Sequence, residues 1–265
     1  MKLNRGDTEI FYTVRGSGAP VVLLHPFPTN HNFWDSCAPH LESRFQLIIP
    51  DLRAHGESAP GQGAATMEKH AADLTALCDE LKLGRAIFAG VSIGGYVLFE
   101  FWRQARERVA ALILSNTRAA SDSPEQRAAR EKSIEDVRQR GPTPFIDAML
   151  PKMLSESTIS SRPDRVEDAR ALMTRMSVQG ITAALSGLAV RPDSTPTLAT
   201  INVPTLVIGA DEDVLTPLPE AELMQKAIVG SRLEVVPKAG HYAALEQPEY
   251  WAKAARRFLD DLATA

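Results

Sequence analysis

The stretch RAIFAGVSIGGYVLFEFWRQARERV, Arg85 to Val109, decides how this chain folds. After Arg85 comes a short unbroken apolar run, AIFAGV, of the kind that suits a strand buried on both faces of a parallel sheet. From Ile93 onward the run lengthens into the mixed apolar and charged pattern of a helix. Ser92 stands at the junction, with Gly90, Gly94 and Gly95 around it. A strand that turns directly into a helix crowds its own backbone, and glycine leaves the room that such a turn needs. The expectation is a strand, a sharp turn with a serine at its tip, and a helix.

Further apolar runs of the same length lie on either side: VVLL (21–24), FQLIIP (45–50), AALIL (110–114), TLVIG (205–209) and RLEVV (232–236). Residues 8–15 alternate polar and apolar side chains and read as an exposed hairpin strand. Between the strands, Met67, Ala71, Leu74, Cys78 and Leu81 repeat at helical spacing behind Thr66, a candidate N-cap, with Gly84 as the stop signal. Trp251, Ala255, Phe258 and Leu262 repeat the pattern behind Pro248, which suits a first helical turn. Strands alternating with helices imply an α/β protein with a doubly wound, mostly parallel sheet.

The alternation stops between residues 119 and 196, which hold a charged opening (Pro124 to Arg140) and amphipathic pieces near 143–154, 164–176 and 178–189. This segment reads as a helical cap inserted after the sixth strand. The expected division is therefore a first core segment at 1–118, the cap at 119–196, and a second core segment at 197–265. The charge run in the cap is expected to be the solvated face of a helix.

The 265 residues carry 29 Lys plus Arg against 33 Asp plus Glu, a formal net charge of −4. With no basic block to follow a phosphate backbone, nucleic acid is not an expected partner. No apolar run approaches the roughly 20 residues that cross a bilayer, so neither membrane nor export is expected, and a cytoplasmic location is. The two cysteines, Cys37 and Cys78, form no disulfide framework and no metal spacing, and Cys78 falls on an apolar helical stripe. His31, His40 and His70 are placed on helix or loop surfaces, again without metal spacing. No metal and no cofactor are expected.

The chemistry centres on Gly90-Val91-Ser92-Ile93-Gly94, a GxSxG pattern in a strand-turn-helix setting. A serine hydroxyl is a weak nucleophile and needs a base, itself oriented by a third group. His241 follows the last strand, on the side where a parallel sheet presents functional groups. After the preceding strand lie Asp211, Glu212 and Asp213, and position in the chain does not separate them.

With these residues in order, the sequence resembles the α/β-hydrolase-fold serine hydrolases, and is similar to cap-bearing bacterial carboxylesterases and the 3-oxoadipate enol-lactonase group. The motifs that carry the likeness are VVLLHPFP (21–28), DLRAHGES (51–58), GVSIGGY (90–96), PTLVIGADEDVLTP (204–217) and PKAGHYAALEQP (237–248). The resemblance implies Ser92 as nucleophile, His241 as base and Asp213, four residues before Pro217, as orienting acid. Because Gly209 stands one residue earlier than the family's pattern has it, Asp211 is the second acid candidate and Glu212 a third. The oxyanion hole would be the backbone N–H groups of Ile93 and Phe27. The chain has His25-Pro26-Phe27-Pro28 where the family more often has His-Gly-x-Pro, which leaves open whether Phe27-Pro28 is cis. The resemblance makes His25 structural, and His55 is likewise expected to be so, with Asp51 and Arg53 pinning its loop.

A substrate pocket is expected between the serine turn and the cap, formed by Phe27, Trp34, Ile93 and Tyr242 together with Met149, Leu150, Met153 and Leu185 or Leu188 of the cap. Those side chains favour an apolar acyl group of modest size, and no Arg or Lys stands out as a carboxylate clamp. The expected activity is hydrolysis of a small-molecule carboxylic ester through an acyl-enzyme, by a monomer or homodimer. The same residues also suit an enol-lactone type lactonase, a carbon-carbon bond hydrolase or a cofactor-free perhydrolase. A small-molecule receptor of the same fold is the non-enzymatic alternative.

Overall fold

The computed structural model describes residues 1–263. Eight strands form one sheet: β1 (Lys2–Asn4), β2 (Glu9–Arg15), β3 (Ala19–Leu24), β4 (Phe45–Pro50), β5 (Ala86–Val91), β6 (Val109–Ser115), β7 (Thr205–Ala210) and β8 (Arg232–Val236). Their order is β1-β2-β4-β3-β5-β6-β7-β8. The first two strands are antiparallel, β2 to β4 as well, and every pairing from β4 through β8 is parallel. The six apolar runs read from the sequence are the six parallel strands, and the 8–15 segment is β2. Only the three-residue β1 carries no apolar run to mark it.

Side chains alternate between the two faces, so an all-apolar strand needs cover on both. Along β5, Phe88 points to a core built with α1 (Met67–Glu80), α2 (Ile93–Ala105) and α9 (Leu218–Ala227). Ile87, Ala89 and Val91 point to the other face, covered by residues 33–41 and by α11 (Pro248–Ala263). Helix α1 begins as read, with the Thr66 hydroxyl accepting from Lys69 N–H. It ends at Glu80, and Lys82 takes the left-handed turn (φ 53°), not Gly84. Cys78 is buried on its inner stripe, where burial pushes the thiol up to about 11.

Between β6 and β7 the chain forms α3 (Pro124–Arg140), α4 (Pro142–Met153), α5 (Glu156–Ser161), α6 (Pro163–Met173), α7 (Val178–Ala189) and α8 (Thr195–Leu198). Helix α3 opens on a capping box: the Ser123 hydroxyl accepts from Gln126 N–H while the Gln126 side chain accepts from Ser123 N–H. The helices sit close on the carboxyl edge of the sheet. A Cβ on Gly187 of α7 would lie 1.8 Å from the Ala65 carbonyl oxygen, and Ala65 N–H donates to Ala183 O at 3.0 Å. Tyr242 N–H donates to Met153 O at 2.9 Å, which ties α4 to the segment after β8. The short connecting helix α10 (Ala243–Glu246) lies between that segment and α11.

Two surface assignments are corrected. His31 and His70 are buried, and only His40 is exposed. The Asp51 carboxylate accepts from His31 N–H at 2.6 Å and contacts His31 Nδ1 at 2.9 Å, so a polar group beside an apolar strand is buried with its partner.

Candidate active site

Ser92 sits between β5 and α2 with φ 55° and ψ −114°, a left-handed conformation that a non-glycine residue adopts only when its surroundings enforce it. Here they do. A Cβ on Gly90 would lie 2.5 Å from the carbonyl carbon of Gly94, and one on Gly94 would lie 2.7 Å from Leu24 O. The turn is thus a place where two glycines let backbone pass against backbone and Ser92 is lifted into partial exposure. Ile93 opens α2, and the first-turn N–H groups of a helix have no intrahelical acceptor. The Phe27-Pro28 bond is cis.

Asp213 and His241 come from the loops after β7 and β8. His241 Nδ1 lies 3.0 Å from Asp213 Oδ2 and 3.2 Å from Oδ1. Asp213 also accepts from Leu215 N–H (2.9 Å), Thr216 N–H (3.0 Å), the Thr216 hydroxyl (2.6 Å) and Asn116 Nδ2 (3.0 Å). Burial alone would raise this carboxyl group. The facing His241 and the Thr216 hydrogen bonds outweigh that and hold it well below the usual carboxylate range. An ionised Asp213 only accepts, so the hydrogen between the two belongs on His241 Nδ1, which leaves Nε2 with its lone pair.

The other two acids of the turn are occupied elsewhere. Asp211 Oδ1 accepts from Ala239 N–H at 3.4 Å, and Glu212 accepts from Ser157 N–H (3.1 Å) and the Ser157 hydroxyl (2.5 Å) at the start of α5. Neither contacts His241.

Ser92 and His241 line one cavity of about 440 Å³, together with Phe27, Ile93 and Thr216 from the sheet side. Met149, Met153, Leu185 and Leu188 line it from the helices, where the sequence places them, and Phe145 joins them. Leu150 faces away, into the core against the other side of the sheet. Trp34 and Tyr242 are corrections: both are fully buried and neither reaches the cavity. Trp34 packs on Trp251 with ring centroids 5.0 Å apart, and Tyr242 packs edge-on against Phe33 at 5.4 Å. Large aromatic rings near a reactive loop fill the space behind it as readily as they line it.

A second correction concerns charge. Arg118, Arg130 and Lys152 line the cavity, although no Arg or Lys stands out in the sequence as a carboxylate clamp; the rest of the charged run of α3 is largely exposed, as read. Gln126, Ala129, Arg130 and Ser133 form a stripe of α3 at helical spacing along the rim of the cavity, Gln126 and Ala129 being exposed. Arg118 and Arg130 both bind the buried Asp122, as does Arg191.

The remaining histidines of the region are structural in their contacts. His25 Nε2 accepts from Leu52 N–H at 2.9 Å and its Nδ1 lies 2.9 Å from Pro26 O. His55 Nδ1 lies 2.9 Å from Arg53 O, and burial holds its pKa at about 3. Arg53 pins the loop by pairing with Asp73 at 2.9 Å and Asp7 at 2.7 Å. Among the described residues, no group of three or more His, Cys, Asp or Glu is placed to hold a metal ion, and no helix is long and apolar enough to cross a membrane.

Three contributors escaped the reading of the sequence. Asn116, at the carboxyl end of β6, bridges Asp213 and Gly240 O (3.2 Å). Its place next to the β5 turn, at the edge where parallel strands present functional groups, was the available signal. Glu246 is buried and accepts from Gly240 N–H (2.9 Å) and Ser155 N–H (2.8 Å), which fixes the backbone before His241. The third is the Asp122 cluster: Arg118, Asp122 and Arg130 lie close together in the chain but in a turn and a helix start with no motif, and Arg191 joins them from the far end of the helical segment.

Residues 19–248 match the model of the α/β hydrolase fold family. The chain belongs to that family. Among α/β hydrolases it is 39% identical to a thermophilic esterase from Thermogutta terrifontis, solved with malate bound, over 99% of this chain and 98% of that one, with a TM-score of 0.95. It is 25% identical to the enol-lactonase from Burkholderia xenovorans LB400, covering 98% and 100% of the two chains, with a TM-score of 0.91. In sequence it is 28% identical over 249 residues to 3-oxoadipate enol-lactonase 2 of Acinetobacter baylyi, 93% of this chain and 91% of that protein. The α/β-hydrolase fold and a place in the α/β-hydrolase superfamily are thereby established for this chain.

Proposed function

We propose that this α/β hydrolase cleaves carboxylic esters through an acyl-enzyme on Ser92. The observation that carries the reading is the His241–Asp213 pair at 3.0 Å, with His241 and Ser92 lining a single cavity and Asp213 buried behind. In the proposed cycle His241 Nε2 takes the Ser92 proton as Oγ attacks the ester carbonyl, then returns it to the leaving alcohol. Water, deprotonated by the same nitrogen, releases the acid and regenerates Ser92. Asp213 holds the imidazole tautomer and stabilises the imidazolium, and Thr216 and Asn116 hold Asp213. The negative charge on the carbonyl oxygen would be met by Ile93 N–H and Phe27 N–H, and one such donor is typically worth about 2.7–4 kcal/mol.

The apolar walls from Phe145, Met149, Leu185 and Leu188 support an acyl chain of small to medium length. The substrate would be a small soluble ester. Turnover of p-nitrophenyl butyrate tests the reading. Repeated turnover abolished by Ser92→Ala supports a hydrolase, whereas one slow turnover leaving a stably modified protein would favour a receptor.

A further inference from the structure

Around Asp122, three guanidinium groups share one carboxylate. Arg118 Nη2 lies 2.9 Å and Arg191 Nη2 3.1 Å from Asp122 Oδ1, while Arg130 Nε pairs with Oδ2. The Asp122 side chain is wholly buried and that of Arg191 is 2% exposed. Arg118 has one further acceptor, Gln126 Oε1 at 3.1 Å, and Arg191 lies over the Tyr96 ring, 4.1 Å from its centroid. Both of those are neutral. Glu125, on the first turn of α3, is exposed and engaged with the Ser123 hydroxyl. Asp193 carries a second carboxylate within electrostatic reach of Arg191, so the cluster is left with one positive charge in excess, on the side of Arg118 and Arg130.

That excess borders the cavity of Ser92 and His241. Arg118, Arg130, Tyr96 and Lys152 all line it, and among the described residues lining it none is Asp or Glu. The Nε groups of Arg118 and Arg191 are buried without a hydrogen-bond partner. Cations held away from bulk water in excess of their counter-charges are costly, and an anion brought to them recovers much of that cost. Arginine presents a planar fork of donors that fits a carboxylate, and Asp122 holds two such forks in place before a ligand arrives.

We propose that Arg118 and Arg130, aided by Lys152, bind a carboxylate carried by the substrate itself. The preferred substrate is then a half-ester of a dicarboxylic acid, its ester carbonyl at Ser92 and its methylenes against Phe145, Met149, Leu185 and Leu188. This rests on the ester-hydrolase reading and narrows it. The expected apolar acyl group becomes an apolar spacer with an acid end.

Monomethyl adipate and methyl hexanoate are a matched pair, differing by a terminal carboxylate in place of a methyl group. The protein is expected to favour the half-ester in kcat/KM by about tenfold or more, the size of one charge-assisted hydrogen bond. Arg130→Gln should reduce that ratio by about tenfold and Lys152→Met, at an exposed position, by about threefold, and added salt should shrink it further. Calorimetry of adipate with the Ser92→Ala protein reads the same site without turnover, and binding should be lost with Arg130→Gln added. A wild-type ratio of one or less, a ratio unmoved by both variants, or adipate binding that is absent or indifferent to Arg130 overturns the carboxylate site. If methyl hexanoate is still hydrolysed in a Ser92-dependent way, the ester-hydrolase reading survives that failure. If neither ester turns over while adipate binds through Arg130, the carboxylate site stands and the hydrolase reading falls.

Discussion

Two buried aspartates, each bonded to residues that line the cavity, are compensated differently. Asp213, at the carboxyl edge of the sheet, faces one titratable partner, His241, and is otherwise held by neutral donors from Thr216, Leu215 and Asn116. Asp122, just before α3, faces three arginines. Burial pushes both carboxyl groups up, and in both the surroundings win and hold them below the usual range. What differs is the remainder. The sheet edge needs a single proton moved between neighbouring atoms, and its compensation is close to balanced. The helical side carries surplus charge, which suits holding something that arrives with the opposite sign.

The largest expected effect lies on the sheet side. Ser92→Ala should lower kcat for a neutral ester by about 10⁶-fold, as loss of a nucleophile does when it works as a unit with its base. Loss of less than about 10²-fold would remove Ser92 from the chemistry, since triad losses run far larger. Next, Asp213→Asn should cost about 10⁴-fold through the wrong imidazole tautomer. Asp211→Asn, whose carboxylate meets only Ala239 N–H, should cost far less, and the opposite ranking would transfer the orienting role.

On the helical side the expected effect is on stability. Asp122→Asn leaves three arginines without their shared carboxylate and should lower the unfolding free energy by about 3–5 kcal/mol. Thermal or denaturant melting checks it, and an unchanged midpoint would mean that solvent already compensates the arginines.

Acid stability separates the two aspartates from the buried histidines. Depressed carboxyl groups contribute stability that is present above the unfolded value, near 3.9, and is lost only as pH falls below it. His25, His55 and His70 are lowered by burial, so below the unfolded value, near 6.5, the unfolded chain gains protons that the folded chain refuses. His55 and His70, lowered furthest, should each remove up to about 1.4 kcal/mol of stability per pH unit in that window, and His25 adds in the same direction. Glu246, raised by burial, works in the opposite sense in the upper part of the carboxyl range, one acid against three histidines. Denaturant midpoints should therefore fall between about pH 6.5 and 5, above the window of the acids. A flat profile there would contradict neutral burial of the cluster. The smallest effect belongs to Leu188→Ala, which should move the acyl-length optimum upward with changes of roughly tenfold in kcat/KM across an ester series.

The parallel strands and the serine turn were legible because their causes are local. Continuous apolar runs such as Phe45–Pro50 fit a strand covered on both faces, and Gly90 and Gly94 answer crowding within a few residues of themselves. Helix α5 was not legible, since ESTISS lacks an apolar stripe and is held by the Ser155 cap and its contact with Glu212. Trp34 and Tyr242 were misplaced for a related reason. Nearness in sequence to a reactive residue says little about which side of the backbone a ring takes.

The order of strands, turn and helices, and the chain positions of Ser92, His241 and three candidate acids, follow from residue pattern alone, because backbone sterics and burial periodicity act between neighbours. Which acid meets His241 depends on the path of the loop after β7, which turns Asp211 toward Ala239 and Glu212 toward Ser157. The charge at the cavity depends on Arg118, Asp122, Arg130 and Arg191 converging from both ends of the helical segment. Coulombic pairing acts through space at a few ångströms, and only the folded chain brings Arg191 to Asp122 and turns Arg118 and Arg130 onto the same cavity.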